Sequence, residues 1–195
     1  MNKINEKINI WFPTSIYFIQ NVLGDEKRKK IEKNILNIND KIPLEKNNWF
    51  TDVRNTQNTY NILNDKKFSF LRNAIEKHTT DFAKILGSNY NYKCISSWFN
   101  IYYENDYQEY HIHPDCVFSA VYYVTNPPLS GRTIFLNPSN NLISLKNKKN
   151  NALNYETCTY LPTQDSLLIF RSNLYHMVEK CKNKNHRITI ATNLN

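Results

Sequence analysis

The stretch YHIHPDCVFSAVYYV, residues 110–124, decides which fold and which chemistry we expect of this chain. Its second half is rich in β-branched and aromatic residues, which favour strands, and its first half carries two histidines and an aspartate around a proline. Working outward, seven or eight short strands fall within about 100 residues, separated by turn residues, and this pattern indicates a sandwich or jelly roll. The predicted strands are residues 92–103, 110–113, 117–124, 133–136, 156–160, 166–170, 175–179 and 187–193.

The N-terminal half predicts a helical layer beside this barrel. Residues 25–38 and 69–86 place apolar side chains at helical spacing, so we expect two helices there. Residues 8–20 are β-branched and aromatic and predict one or two short strands, whereas the polar residues 47–64 predict a loop.

A chain of 195 residues with 41% hydrophobic composition can bury one sizeable core, and no linker or internal repeat divides it. We therefore predict a single domain, residues 1–195, of the mostly β (α+β) class. Residues 1–90 form its N-terminal strand and helical layer, and residues 91–195 form a double-stranded β-helix, or jelly roll.

Composition excludes several classes of protein. Three scattered glycines cannot build a glycine-rich phosphate loop, and no pair of the four cysteines has the CxxC spacing of a zinc ribbon or thioredoxin-like site. Residues 1–9 are polar, unlike a signal peptide, and no apolar run approaches the roughly 18 residues of a membrane span. The expected location is the cytoplasm, with free thiols and no membrane partner.

Lys and Arg outnumber Asp and Glu by 25 to 17, which gives a net charge of +8. Such a positive net charge can favour the binding of nucleic acid or of an acidic substrate. The lysines are scattered, however, and the densest runs resemble a solvated helix face and a loop, so nucleic acid is not the favoured partner. The sequence does not fix the oligomeric state, and a homodimer is compatible with it.

The histidine-rich segment suggests a metal site. Side chains in an extended strand alternate between faces, so His111, His113 and Asp115 would point the same way. A distant histidine, His176, would complete a facial triad of two histidines and one carboxylate, which suits Fe(II) with open positions. An exposed cluster at a barrel rim is the alternative, since such residues are mostly exposed.

Eleven residues after His176, Arg187 and Thr189 share one face of a predicted strand. Arginine is the side chain best suited to bind a carboxylate with two hydrogen bonds, and a hydroxyl two positions away can add another. The alternative for Arg187 is a salt bridge at the barrel rim.

The order of these motifs resembles a family of 2-oxoglutarate/Fe(II)-dependent oxygenases common in marine bacteria and their phages. That family reads as a Trp-Phe-Asn strand, HxHP, Ser-Gly-Val-Tyr-Tyr-Val, a Gly, Asp-Pro, Phe-Pro-Ser, a His and a closing Arg-x-Ser. The corresponding segments here are residues 98–100, 111–114, 119–124, Gly131, 137–138, 170–172, His176 and 187–189. Three residues in these segments depart from the family pattern: Ala120 replaces a glycine, Asn137 an aspartate and Arg171 a proline.

The resemblance leaves the third metal ligand open. If a carboxylate is required, the ligands are His113, Asp115 and His176. If the register from the turn at residues 105–106 decides, His111 is the first ligand and His113 takes the carboxylate position, with Asp115 as a supporting partner. His113 and His176 belong to both versions.

The resemblance implies the cofactors and the reaction. Fe(II), 2-oxoglutarate and O2 would take part in an oxygenase reaction, most simply a hydroxylation, that yields succinate. Arg187 would bind the distal carboxylate of 2-oxoglutarate, helped by Thr189 and by Tyr123 or Tyr103 from the barrel wall. The substrate, a small molecule or a peptide, is not specified, and the loop at residues 139–154 is a candidate for its entrance.

The sequence is also compatible with two other functions. The first is a cupin-like metalloprotein that does not use 2-oxoglutarate. The second is a non-enzymatic jelly-roll binding module whose histidines are surface residues.

Overall fold

The computed structural model describes residues 7–43, 49–139, 146 and 149–195. Their strands form two antiparallel sheets that face each other. The larger sheet has the order β1-β8-β5-β10-β3-β2, and the smaller has the order β4-β9-β6-β7. The larger sheet consists of β1 (Ile16–Gln20), β2 (Arg54–Asn55), β3 (Cys94–Tyr102), β5 (Phe118–Thr125), β8 (Ser166–Arg171) and β10 (Arg187–Leu194). The smaller sheet consists of β4 (Gln108–His111), β6 (Thr133–Leu136), β7 (Thr157–Tyr160) and β9 (His176–Val178).

Two helices, α1 (Asp25–Asn39) and α2 (Ser69–Ile85), cover the outer face of the larger sheet. Ile31 and Ile35 of α1 and Leu71 and Ile75 of α2 are fully buried in the main core. From the sheet, this core receives alternate residues of its central strands, as the two-residue period of a strand requires. These are Phe118, Ala120, Tyr122 and Val124 of β5, and Ile188 and Ile190 of β10.

The other face of the larger sheet points into the space between the sheets. There Tyr123 and Phe170 pack with Phe135 of β6 and Leu174 in a smaller second core. Residues of β3 and β10 beside this core face inward too, and apart from Ala191 they are polar or aromatic rather than aliphatic. The sandwich is therefore filled by side chains at one end and open to a cavity at the other.

The element pattern expected from the sequence is confirmed, with a few local differences. Residues 8–20 contain one strand, β1, which begins after Pro13. The segment expected to be a loop contains the two-residue strand β2 and a short 3-10 turn at Ile62–Asn64, and its residues 47–48 lie outside the described part of the chain. The strand expected to reach Tyr103 ends at Tyr102.

No helix in the described parts of the chain combines the length and the apolar character needed to cross a membrane.

Candidate metal centre and anion pocket

Three histidine rings meet at the open end of the sandwich. His111 and His176 lie opposite each other in the antiparallel pairing of β4 with β9, and their ring centroids are 4.2 Å apart. His113 follows the end of β4, and its ring centroid lies 5.1 Å from that of His176 and 5.4 Å from that of His111. One ring nitrogen from each histidine lies within 4.8 Å of the other two, which is a spacing that one metal ion can bridge.

The hydrogen bonds of the rings leave the other nitrogens free to bind a metal. The Nδ1 atom of His111 lies 2.7 Å from the carbonyl oxygen of Glu109, and that of His176 lies 2.9 Å from the carbonyl oxygen of Leu174. A carbonyl oxygen only accepts hydrogen bonds, so both Nδ1 atoms carry the proton and donate. The Nε2 atoms of these two neutral rings therefore keep their lone pairs.

Burial keeps the three rings neutral. It lowers the pKa of His113 to about 4 and that of His176 well below its usual range, and the neighbouring His111 ring lowers both further. Burial also lowers the pKa of His111, although hydrogen bonding to the Glu109 carbonyl opposes the change. Near neutral pH, no proton competes with a metal ion for this cluster.

Asp115 is not in this cluster. The expectation that it shares a face with the histidines was wrong, because β4 ends at His111 and the chain then turns at Pro114 and Asp115. Asp115 is exposed and has a left-handed backbone with φ of 65°. Within the described chain its backbone carbonyl accepts a hydrogen bond from the Asn195 amide, and its carboxylate is not part of the histidine cluster.

Arg187 lies in the same space as the histidines, at the start of β10. Only 1% of it is exposed, and its guanidinium carbon lies 4.8 Å from the ring centroid of Tyr102 and 5.3 Å from that of Tyr123. Its Nη1 donates to the carbonyl oxygen of Gly131 at 2.9 Å, and its Nη2 donates to the hydroxyl of Thr133 at 3.4 Å. Its Nε atom is buried without a partner, and within the described chain no carboxylate forms a salt bridge with it.

A cavity of about 270 Å³ connects the histidines with Arg187. Arg187 is the one residue with a permanent charge among those that line it, and no aspartate or glutamate lines it within the described ranges. The cavity is therefore suited to an anionic ligand. The lining residues are Trp49, Gln57, Trp98, Asn100, Tyr102, Gln108, His111, Ile112, His113, Pro114, Val121, Thr133, His176, Val178, Arg187, Ala191 and Asn193.

Of the other site residues expected from the sequence, two are buried near the cavity and one is exposed. Thr189 is buried beside the cavity, where its hydroxyl accepts from the Asn100 amide at 3.4 Å. Tyr123 is fully buried, and its hydroxyl lies 2.6 Å from that of Thr133. Tyr103, by contrast, is 54% exposed and does not line the cavity.

Tyr102 is the tyrosine that lines the cavity, and it lies opposite Arg187 in the pairing of β10 with β3. Trp98, Asn100 and Tyr102 are spaced by two along β3 and all three face the cavity, as strand alternation requires. The sequence contained this signal, but the strand pairing is needed to tell which of two adjacent tyrosines faces Arg187. Thr133 and Asn193 were missed because only long-range pairing brings them to the site.

The donor set fits an iron(II) ion. Three imidazole nitrogens lie on one side of a cavity, and a metal held by them would have space beside Arg187 for further ligands. The set differs from a facial triad, because a third histidine stands in place of the carboxylate. The buried, unpartnered Nε of Arg187 also fits a carboxylate-bearing cosubstrate in the same cavity.

Solved structures share this fold at low sequence identity. They include an oxidoreductase of the 2OG-Fe(II) oxygenase family from Burkholderia pseudomallei, at 12% identity and a TM-score of 0.62, covering 92% of this chain and 84% of that chain. A prolyl hydroxylase from Trichoplax adhaerens, in complex with a hypoxia inducible factor peptide fragment, gives 16% identity, a TM-score of 0.62 and coverages of 92% and 82%. HygX from Streptomyces hygroscopicus, with nickel and 2-oxoglutarate bound, gives 11% identity, a TM-score of 0.64 and coverages of 93% and 82%.

No curated protein matches the sequence. The sequence profile of the 2OG-Fe(II) oxygenase family, however, matches residues 96–193, which is half of the chain and contains all three clustered histidines and Arg187. The chain therefore belongs to the 2OG-Fe(II) oxygenase family, whose members are enzymes that depend on Fe(II) and 2-oxoglutarate.

Proposed function

We propose that His111, His113 and His176 hold the Fe(II) ion and that Arg187 holds the distal carboxylate of 2-oxoglutarate. One observation carries this proposal: the histidine nitrogens and the buried Arg187 line the same cavity of about 270 Å³.

The buried charge of Arg187 supports the second half of the proposal. A buried charge without a counterion is costly, so this side chain is expected to meet an anion in the working protein. Its Nη atoms are anchored by Gly131 and Thr133, whereas Nε retains a hydrogen to donate. The fixed guanidinium can therefore receive a carboxylate without first reorganising.

Thr133 and Tyr102 would complete the carboxylate site. The hydroxyl of Thr133 contacts both Arg187 and the hydroxyl of Tyr123, so Tyr123 supports the site through Thr133. Thr189 supports it through Asn100, which lines the cavity. Tyr102 packs its ring against the guanidinium while its hydroxyl donates to the side-chain carbonyl of Gln108.

When bound, Fe(II), 2-oxoglutarate and O2 supply the oxidising chemistry, in which the cosubstrate is decarboxylated to succinate and the substrate is oxidised. The histidines contribute neutral nitrogen ligands whose orientation is fixed by hydrogen bonds. His113, His176 and Arg187 are each at most 8% exposed, so a ligand bound in the cavity would displace most of the remaining water around them.

For the outcome of the reaction we propose hydroxylation of a small molecule or a peptide. The related fold carries a peptide fragment in the prolyl hydroxylase and the small molecule hygromycin B in HygX. Trp49 and Trp98 line the cavity and pack against His111 and His113, so they would form apolar walls for the oxidised group. Half of the expected entrance loop, residues 139–154, falls outside the described residues.

All four cysteines are free thiols, which agrees with a cytoplasmic location. We propose that residues 1–195 act as one domain and that nucleic acid is not the substrate. Light scattering of the purified protein would separate a monomer from the homodimer that the sequence allows.

Succinate formation tests the proposed function. The purified protein should convert 2-oxoglutarate to succinate when Fe(II) and O2 are both present, faster when a panel of small molecules and peptides includes a substrate. The His176→Ala variant is the control and should form none. A wild-type protein that binds iron yet forms no succinate with any of the panel would contradict the proposal and favour a metalloprotein that does not use 2-oxoglutarate.

A further inference from the structure

The three histidines are not held in the same way. The Nδ1 atoms of His111 and His176 donate to backbone carbonyls, which no side-chain substitution removes. The Nδ1 atom of His113 instead lies 2.6 Å from the side-chain oxygen of Asn193. The orientation of His113 therefore depends on a side chain, and that side chain can be changed.

Asn193 reaches His113 from a different part of the chain. It lies near the end of β10, opposite Ser119 of β5, and an even number of residues after Arg187 on the same strand. Both Asn193 and Arg187 line the cavity, as residues on one face of a strand should. One strand thus presents the cosubstrate arginine at one end and the partner of a metal ligand at the other.

Ser119 makes a second contact at this point. Its hydroxyl lies 2.9 Å from Nδ1 of His113 and 2.9 Å from the hydroxyl of Ser172, and it donates to Asn193 at 3.3 Å. The hydroxyl can accept or donate, so it does not by itself decide which ring nitrogen carries the proton. The side-chain oxygen of Asn193 only accepts, so it places the proton on Nδ1 and leaves Nε2 free.

We propose that Asn193 is a positioning residue that fixes the ring orientation and the tautomer of His113 for metal binding. This inference rests on the proposed function. The partner is an amide and not a carboxylate, so it supports His113 without drawing the Nδ1 proton toward a negative charge. His113 therefore stays a neutral ligand, and the bound metal keeps more positive charge than it would beside a carboxylate.

Anaerobic Fe(II) titration, with the visible charge-transfer band recorded after adding 2-oxoglutarate, tests this inference. The variants are Asn193→Ala, which removes the acceptor, and Asn193→Asp, which keeps an acceptor and adds a charge. Thr192→Val is the matched control, because Thr192 precedes Asn193 on β10 and its hydroxyl donates elsewhere, to the carbonyl of Ser96. Ser119→Ala examines the second contact.

Asn193→Ala should weaken Fe(II) binding by about 10- to 100-fold, the usual effect of losing the partner of a metal-bound histidine. Asn193→Asp should restore the affinity and move the band to longer wavelength, because a negative partner makes the ligand a stronger electron donor. A purely structural role would not shift the band. Thr192→Val should match the wild-type protein in both readouts.

Three results would overturn the inference: equal Fe(II) affinity in Asn193→Ala and Thr192→Val, no recovery in Asn193→Asp, or an effect found in Ser119→Ala but not in Asn193→Ala. Each of these leaves iron binding by the wild-type protein intact, and with it the proposed function. A wild-type protein that binds no Fe(II) would instead overturn the proposed function, together with this inference.

Discussion

His111 lies opposite His176 across the pairing of β4 with β9, with the two ring centroids 4.2 Å apart. This relationship makes His111 a member of the histidine cluster, and it does so through strand register. A shift of one residue in either strand would turn one of the two rings to the other face of the sheet. The pairing of two short strands therefore brings His111, rather than Asp115, into the cluster that we propose as the metal site.

Substitution of His111 should abolish tight Fe(II) binding. His111→Ala removes one of the three proposed nitrogen ligands, whereas Asp115→Ala changes an exposed residue away from the cluster. Equilibrium dialysis should give one Fe(II) per chain for the wild-type protein and for Asp115→Ala, with a loss of at least about 10-fold in affinity for His111→Ala. The reverse pattern would mean that the ligands are two histidines and a carboxylate.

Loss of Arg187 should weaken 2-oxoglutarate binding without weakening Fe(II) binding. Truncating one partner of a buried charge pair costs about 2 kcal/mol or more, so Arg187→Ala should raise the Kd for 2-oxoglutarate roughly 30-fold or more, as measured by anaerobic calorimetry. Arg187→Lys should not restore 2-oxoglutarate binding, because the ammonium group of lysine lacks the planar guanidinium that forms two parallel hydrogen bonds with a carboxylate.

Arg132→Ala is the matched control for Arg187. Arg132 is close in space but its side chain is 49% exposed, and it pairs with Glu179 at the surface. Such pairs contribute little, so this variant should bind 2-oxoglutarate like the wild-type protein. An equal loss of affinity in both arginine variants would place the cosubstrate elsewhere.

Gly131→Ala should destabilise the fold and disturb the arginine site. A Cβ atom there would collide with the backbone carbonyl of Glu179, and the carbonyl of Gly131 anchors Arg187. Overpacking of this kind costs about 1–3 kcal/mol, measurable as a lower midpoint in urea. Ser130→Ala, which removes a buried hydroxyl that has no partner in the described structure, should leave the midpoint nearly unchanged.

The metal-free protein should lose stability as the pH falls below 6.5. The unfolded chain binds protons at its histidines near pH 6.5, whereas burial lowers the pKa of His113 to about 4 in the folded state. Below pH 6.5 the unfolded state therefore binds more protons, and stability decreases as the pH approaches 4. Above pH 6.5 both states are neutral at this residue, which then contributes no pH dependence.

Urea unfolding at pH 7.5 and pH 5 measures this effect. His113 alone should lower the free energy of unfolding by about 2 kcal/mol between these values. His113→Gln, which cannot take up a proton, should show a pH dependence smaller by that amount. Equal pH dependence in the two proteins would mean that His113 titrates normally in the fold.

Local sequence patterns predict most of the strands and both helices of this structure. The strands from β5 to β10 begin and end within a few residues of the apolar and β-branched runs that predicted them, because strand periodicity and turn residues act locally. The same is true of both helices. The sequence also identified three histidines as candidate metal ligands and one arginine as a candidate carboxylate-binding residue. The structure brings all four to one cavity: His111, His113, His176 and Arg187.

The site predictions that were wrong or missing depend on turns, strand register and long-range contacts, which local sequence patterns do not specify. Asp115 was expected beside the histidines by strand alternation, which ends where the chain turns after Pro114. Tyr103 was one of two candidates, with Tyr123, for the tyrosine of the cosubstrate pocket, but the face of each residue depends on register, and Tyr102 is the residue opposite Arg187. Contacts such as that of Asn193 with His113 join residues 80 apart in sequence, which no local pattern can reveal.

Anaerobic addition of 2-oxoglutarate to the Fe(II)-loaded protein tests the central claim most directly, because it reports the metal, the cosubstrate and their contact in a single visible spectrum. We predict a weak visible charge-transfer band that saturates at one 2-oxoglutarate per chain, is absent in His176→Ala, and requires a higher 2-oxoglutarate concentration in Arg187→Ala. Iron binding without any such band, or a band unaffected by both substitutions, would contradict the account.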